Sequence, residues 1–431
     1  MRLKPVASTT GPMADATSRT KRGWDNHLAP ALIVRLLCAL SLQTLNNPAL
    51  LFSRKEFITP ITDSKRVFEA LFLNEHGVDP YAGDAFHQPP IMLLLYYPFH
   101  HFRLPPLYLH LFWLMLDIVI AFLIRSIAFK VLDREQSENK TESKTSWIPN
   151  VAFNVYLLNP FTILTSLATS SIVFNNLALV LSLYHAYSGN VVLSIFAAVF
   201  SAHLTIYPIT TVLPLSIISG SKLRYTLPLS LFFLASLIGI SYSIVDNWNF
   251  LSKAYAFVIF VNDLTPNIGL FWYFFMEVFK QFRTFFIFAY QYHAFLYTVP
   301  LYLRLKHNPL ILFWIYLSIV ATFKSYPSYG DVALQVGLLP LVCTQFSTTK
   351  YGFISGVVAV FVAALAPLFW QMWIYNGSGN ANFYYAINLV FTFTQVLFVT
   401  DVASIVVGKQ NQKEREEEER KAGKKEITRE E

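Results

Sequence analysis

Along this chain, long apolar runs alternate with short polar breaks. Such runs lie at about residues 29–46, 107–128, 149–168, 172–188, 190–203 and 207–221, and again at 225–245, 285–304, 309–324, 332–346, 352–374 and 384–407. A helix needs about 20 apolar residues to cross a hydrocarbon layer, and fewer inside a bundle. The pattern predicts an all-α polytopic membrane protein of about twelve transmembrane helices, with both termini on one side. Residues 1–27 are a polar N-terminal segment, 28–408 the multispanning domain, and 409–431 a charged tail.

The breaks are not equivalent. Lys and Arg concentrate in the N-terminal segment, at Lys130, Arg134, Lys140 and Lys144, at Lys222 with Arg224, at Arg304 with Lys306, at Lys350, and from Lys409 onwards. In a twelve-span arrangement all of these share one side, and basic short loops mark the cytoplasm. Arg54, Lys55, Lys65, Arg66 and Arg103 oppose this, but they sit in a long loop, where the rule weakens. Both termini are therefore expected in the cytosol. Four loops then face the other way, at about 47–106, 246–284, 325–331 and 375–383. The first contains "GVDPYAGDAFHQPPI", too polar and too rich in Gly and Pro for a span.

Composition supports a membrane protein. The chain has 431 residues, of which 54% are hydrophobic and only 14% charged, and its mean hydropathy is +0.44. A soluble domain is nearer a quarter charged. The net charge of +7 does not indicate nucleic acid, because the basic residues sit in loops and at the ends. Cys38 and Cys343 both fall in apolar runs and read as inert residues, not as a disulfide or a metal site. The apolar stretch after residue 27 contains Arg35 and lacks a small-residue cleavage site, as expected of a retained signal anchor. The tail "KQNQKEREEEERKAGKKEITREE" reads as a solvated segment or loose helix.

Candidate chemistry lies in the non-cytoplasmic loops. In "NDLTPNIGLFWYFF", Thr265-Pro266 reads as a helix start, with Thr as cap and Pro in the first turn. Tyr273, Glu277, Lys280 or Gln281, and Thr284 would share one face, and Phe271, Phe274, Phe275, Val278 and Phe282 the others. Such a helix lies in the headgroup layer, either as an anchor for the bundle or as a platform for a lipid, with Asp263 and Asn267 at its mouth. Lys324 and Asp331 stand at the ends of two consecutive spans, where charges are costly unless paired or used. They read either as functional groups or as a pair closing the hairpin. Asn380 and Asn382, on a flexible loop, carry amides suited to hydroxyl and phosphate oxygens. Asn376-Gly-Ser is a formal glycosylation acceptor beside a span, and Asn139-Lys-Thr a second one expected on the cytoplasmic side. Asn159, Pro160, Asn175 and Asn176 read as a kink and inter-helix hydrogen bonds, and His203 and Asp117 as packing residues.

The catalytic inventory is thin. A membrane sugar transferase would use non-cytoplasmic carboxylates, often two close together. The only closely spaced acidic residues outside the tail are Asp133 and Glu135, on the wrong side, which leaves the isolated Asp79 and Asp84. No Cys/His arrangement suits a nucleophile. A transporter would usually show internal repeats, and none is evident.

"DLTPNIGLFWYFF", "FKSYP", "YGDVAL", "WIYNGSGNANFYYAI" and "GVDPYAGDAFHQPP", in that mutual context and with "LLNPFTIL" and the asparagines at 175–176, resemble the PIG-U family over about residues 60–405. These are multispanning subunits of the glycosylphosphatidylinositol (GPI) transamidase. The resemblance implies an endoplasmic reticulum complex with PIG-K, PIG-T, PIG-S and a GAA-type subunit, in which a Cys/His site in PIG-K does the chemistry. It also implies a fold like that of polyprenyl-phosphate-dependent mannosyltransferases (GT-C-like), with luminal interfacial helices and no catalytic residue, cofactor or metal. The chain itself would bind and present GPI. Matching positions are the Asp263–Phe271 segment, with Asp263, Asn267 and Phe271, and the pair Asn380 and Asn382. Lys324 and Asp331 join them from the residue reading alone. The alternative is an active mannosyltransferase using dolichyl-phosphate mannose, with Asp79 or Asp84 as base.

Overall fold

The structure, a computed structural model, describes residues 30–38, 40–41, 54–139, 147–342 and 349–430. The chain divides into two compact units, residues 1–48 and 49–431. In the first, residues 30–38 are helical and Cys38 is an unpaired, half-buried thiol. Cys343 lies outside the described residues.

The described residues of the second unit form helices joined by turns and irregular stretches, with no strand among them. Two helices precede the first long span: α1 (Ser64–Glu75) and α2 (Ile91–His101). They lie inside the loop expected at about residues 47–106. Asp63 caps α1 by accepting from the Lys65 N–H at 2.9 Å, and Gly77, with a φ of 74°, turns the chain out of it. The apolar run of α2 begins after Pro89-Pro90, a signal muted in sequence by the polar flanks.

Next come α3 (Pro106–Asn139), α4 (Ile148–Leu158), α5 (Pro160–Leu167), α6 (Ile172–Tyr187) and α7 (Val191–Thr205). The expected span 149–168 is thus two helices. Pro160 has no N–H to continue the ladder, and the Asn159 side chain accepts from the Phe161 N–H at 3.0 Å, restarting the helix. A 3-10 turn (Tyr207–Thr211) leads into α8 (Val212–Ile218), followed by α9 (Leu223–Val245). After a π-helical turn (Leu251–Ala256) come α10 (Phe257–Phe260), α11 (Phe271–Glu277), α12 (Arg283–Leu296) and α13 (Thr298–Leu305). The chain closes with α14 (Pro309–Phe323), α15 (Tyr329–Val342), α16 (Gly352–Trp370) with a π turn at its end, and α17 (Ala381–Glu430).

Among the described residues, α3, α9, α16 with its π turn, and α17 are each long and apolar enough to cross a membrane, and several shorter apolar helices accompany them. The shorter ones make the centre. Every residue of α14 from Ile311 to Thr322 is buried, as is most of α15, which packs on α4, α5, α6 and α14. In contrast, α9 and α16 expose Leu231, Phe232, Phe353, Val360 and Phe361, the surface expected of lipid-facing helices.

Without a hydrophobic driving force between helices in lipid, close packing and inter-helix hydrogen bonds must hold the bundle. Asn175 accepts from Ser201 (2.6 Å) and Thr205 (3.2 Å), tying α6 to α7, and Asn176 donates to the Gly330 carbonyl at 2.9 Å, tying α6 to α15. His203 bridges Ser241 on α9 and Tyr255 in the π turn. Asp117 on α3 accepts from Tyr156 and Ser166. These are the packing roles the sequence assigned to them.

Two glycines set how close α15 comes. A Cβ at Gly337 would stand 2.5 Å from the Tyr156 ring, and one at Gly330 2.4 Å from Ile172. Gly337→Val is expected to lower the melting temperature of the detergent-purified protein, with an overpacking cost of about 1–3 kcal/mol or more. Gly356→Val, where no neighbouring atom lies within 4 Å, is expected to leave it unchanged. Thermal size-exclusion profiles of the two variants check this.

Candidate functional site

The four loops assigned to one face meet at one end of the bundle. Its floor is the irregular stretch between α10 and α11. Val261 ends α10 in a left-handed conformation (φ 51°), and the chain then runs without helix through residue 270. Asp263 folds an Asx turn, accepting from both the N–H (2.7 Å) and the hydroxyl of Thr265. That holds Thr265 in a turn, and the helix starts at Phe271, not at Pro266. Nor does it run on to residue 284. Val278 and Phe279 are extended (ψ 137° and 140°), a 3-10 turn (Lys280–Phe282) follows, and α12 begins at Arg283. The continuous amphipathic helix expected here is therefore three short pieces.

Neighbouring elements hold this backbone. The Tyr326 hydroxyl, in the turn between α14 and α15, accepts from the Asp263 N–H at 3.1 Å and donates to the Asp263 carbonyl at 3.0 Å. Arg283 donates to the carbonyls of Val261 (2.8 Å) and Phe275 (3.3 Å). From α17, Asn388 donates to the Asn267 carbonyl at 2.6 Å and Tyr385 to the Leu270 carbonyl at 3.1 Å. Gly269 is required here, because a Cβ would lie 2.6 Å from Pro327.

The candidate residues separate on this frame. Asn267 is buried; its side chain accepts from the Gly269 N–H at 2.8 Å and donates to the Thr265 carbonyl. It does not stand at a mouth. Phe271 is also buried, against Phe275 and Tyr290, in a cluster with Val261 and Tyr326. Its ring is core, not a lipid-facing platform; the aromatics exposed nearby are Phe279, Phe282, Phe285 and Phe288. Lys324 and Asp331 form the hairpin-closing pair, 2.6 Å apart and nearly fully buried, with the second carboxylate oxygen taking the Ser328 N–H at 2.9 Å.

Three candidates reach the surface. Asp263 is half-buried, with Arg66 of α1 3.8 Å from its second oxygen. Asn380 is exposed and caps α17, its carbonyl oxygen accepting from the N–H groups of Asn382 (3.0 Å) and Phe383 (3.3 Å). Both hydrogen bonds use that oxygen, which leaves the amide donors for other partners. Asn382 is exposed and accepts from the Tyr273 hydroxyl of α11, which joins the 375–383 loop to the floor.

Sequence reasoning missed the wall beside these asparagines. Trp272, Trp370, Trp373, Tyr384 and Tyr385 pack together, and the Trp272 indole N–H is buried without a hydrogen-bond partner among the described residues. Next to them Arg54 grips the buried Glu56 through two hydrogen bonds of 2.6 and 3.0 Å and lies over the Trp370 ring. The repeated aromatics of "FWYFF" and "WQMWIY" were the available signal.

Asp79 and Asp84 are also engaged. Asp79 accepts from Asn249 at 2.9 Å, and Asp84 pairs with Lys253 at 2.9 Å, a hydrogen bond that holds its carboxyl below the usual range. His87 stacks on Phe257 and bonds the Lys253 carbonyl at 2.8 Å, and burial lowers its pKa. These contacts dock the first loop onto the π turn.

Helices long and apolar enough to cross a membrane, packed with shorter apolar helices, define a multi-pass integral membrane protein. The comparisons with known proteins give the family. Residues 29–391 match the family model for the GPI transamidase subunit PIG-U. The GPI-anchor transamidase component PIGU of Cricetulus griseus is 32% identical over 406 residues, covering 87% of this chain and 92% of that protein. Its Homo sapiens counterpart is 32% identical over 380 residues (81% and 86%), and the GPI transamidase component GAB1 of Saccharomyces cerevisiae 32% over 354 residues (80% and 86%). The chain belongs to the PIG-U family of GPI transamidase subunits.

The buried ion pair can be tested directly. Lys324→Met or Asp331→Leu alone leaves one charge uncompensated and is expected to cost about 3–5 kcal/mol, whereas the double variant should regain most of that loss. Folded yield and melting of the three variants in detergent measure the coupling.

Proposed function

We propose that this chain is a non-catalytic subunit of the GPI transamidase that binds GPI at the rim formed by Asp263, Asn380 and Asn382, presents it for attachment to the C-termini of proproteins, and scaffolds the complex in the membrane. The reading rests on family membership for the complex. For the site it rests on one observation: Asn380 and Asn382 stand exposed beside Tyr273, at the end of the bundle where the four loops meet. Amide donors there suit the hydroxyl and phosphate oxygens of a glycolipid headgroup. Asn267, Phe271, Lys324 and Asp331 act as the frame that sets the rim's position.

In this reading the bundle crosses the endoplasmic reticulum membrane about twelve times in a GT-C-like arrangement, with short buried helices completing the spans. Both termini are cytosolic, as are residues 1–27 and 409–431, and the four loops are luminal. Its partners are PIG-K, which carries the catalytic Cys and His, with PIG-T, PIG-S and a GAA-type subunit. The relatives are named as transamidase components, which gives the mannosyltransferase alternative no support.

Asn380→Asp tests the rim without removing the cap, since a carboxylate still accepts from the helix N–H groups. With its donors lost and a negative charge placed against phosphate, GPI attachment to a reporter is expected to fall about threefold to tenfold, the worth of one net hydrogen bond. Assembly, read by co-purification of the other subunits, should be unchanged. Attachment at the wild-type level in Asn380→Asp combined with Asn382→Ala would remove both asparagines from the lipid site. Near-stoichiometric recovery of a caspase-like subunit with the purified chain tests the scaffold; recovery of the chain alone, transferring mannose, would overturn it.

A further inference from the structure

A second polar feature lies away from the asparagine rim, between α1 and α2. These helices pack as a hairpin and enclose an open groove of about 710 Å³. Its polar lining is His76, His100, His101 and Arg103 with one carboxylate, Glu75. That carboxylate is already engaged: His100 lies 3.0 Å from Glu75, and this hydrogen bond keeps its pKa below the ordinary carboxylate value. Beyond that pair the fixed cation is Arg103, while His76 and His101 engage Nδ1 with the Phe72 carbonyl at 2.8 Å and the Tyr97 hydroxyl at 3.2 Å and keep Nε2 for a ligand. Arg103 stands at the C-terminal exit of α2 in a left-handed conformation (φ 46°) that glycine usually takes, and the following Leu104 N–H bonds back to Phe99 at 3.1 Å.

The setting of the groove is apolar. Phe72 and Phe102 are exposed at its edge, and Phe99, on its wall, meets the Phe112 ring of α3 at 5.2 Å. Two residues after Leu104, α3 begins as a long span, with Tyr108, Leu111, Met115 and Val119 exposed in a stripe repeating every three or four residues. Basic groups at the end of a lipid-facing apolar stripe match a lipid whose headgroup is anionic and whose chains run along the span.

We propose that the α1–α2 groove binds the phosphate-bearing headgroup of an anionic phospholipid, with His101, His76 and Arg103 meeting the phosphate and the exposed stripe of α3 carrying the acyl chains. The site is separate from the asparagine rim and does not depend on the reading given for that rim. It gives the protein a lipid contact that orients α1 and α2 at the bilayer surface.

The test uses the full transamidase complex in nanodiscs carrying a photoactivatable phosphatidylserine or a phosphatidylcholine with the same tail probe. Crosslinks are mapped by mass spectrometry. Labelling of peptides containing Phe72, Phe102 and Leu111 by the phosphatidylserine probe, severalfold above the phosphatidylcholine probe and reduced severalfold in His101→Gln/Arg103→Gln, is the expected result. Equal labelling by both probes would reduce the groove to ordinary apolar annulus. Loss of phosphatidylserine labelling on adding inorganic phosphate would replace the lipid by a free-phosphate site. Absence of label in the complex, with label on the isolated chain, would show that another subunit covers the groove. Each of the three overturns the proposal. If the double variant fails to assemble, the comparison of the two probes on the wild-type complex decides it.

Discussion

The constraint on which the rest depends is the backbone from α10 through Leu270. A helix end and the irregular stretch after it carry N–H and C=O groups that neither helix nor lipid can satisfy, so protein must do so. Side chains from several helices converge for that purpose. Gln291 donates to the carbonyls of Val258 and Ile259, and Ser325 donates to Val258. Tyr326, Arg283, Asn388 and Tyr385 serve the groups that follow. The loop therefore fixes the mutual positions of α12, the α14–α15 turn and α17. Moving any one of them strands a buried polar group, at about 1–3 kcal/mol each.

This explains why burial and exposure divide the candidate residues as they do. Asn267, Phe271, Lys324 and Asp331 lie where the scaffold must be closed, whereas Asp263, Asn380 and Asn382 lie where it ends. Asn380 has a double role, because its carbonyl oxygen starts α17 while its amide nitrogen remains for other use. The aromatic wall of Trp272, Trp370 and Trp373 backs the same rim with rigid surface, and rings with a polar edge suit a bilayer boundary.

Much of the fold was legible in the sequence because hydropathy reports burial and lipid exposure alike. The long apolar runs became α3, α9, α16 and α17, and Asn159, Asn175 and Asn176 took the kink and inter-helix roles their chemistry allows. What failed was local competition. Thr265-Pro266 looks like a helix start, but Asp263, two residues earlier, takes the Thr265 N–H and hydroxyl for a turn, and no periodicity reveals that. Phe271 looked amphipathic from its neighbours, yet its face is set by Tyr290 and Tyr326, far along the chain. For Lys324 and Asp331 spacing alone left pairing and function open, and only their 2.6 Å separation identifies a closed pair. Arg54 read only as a basic residue in a long loop, and Glu56 not at all, because their meaning lies in Trp370, over three hundred residues away.

One element joins the two ends of the second unit. α17 starts at the Asn380 cap and continues as helix to Glu430, 50 residues without a proline. At 1.5 Å per residue it extends about 75 Å, roughly two and a half times the thickness of the hydrocarbon layer. Gln410 with Glu414 and Gln412 with Glu416 brace its outer half through hydrogen bonds spanning a single turn, and Arg304 at the end of α13 lies 3.9 Å from Glu414. Such a rod is a lever. A tilt of about 5° at the capped end would sweep the far end through about 6.5 Å.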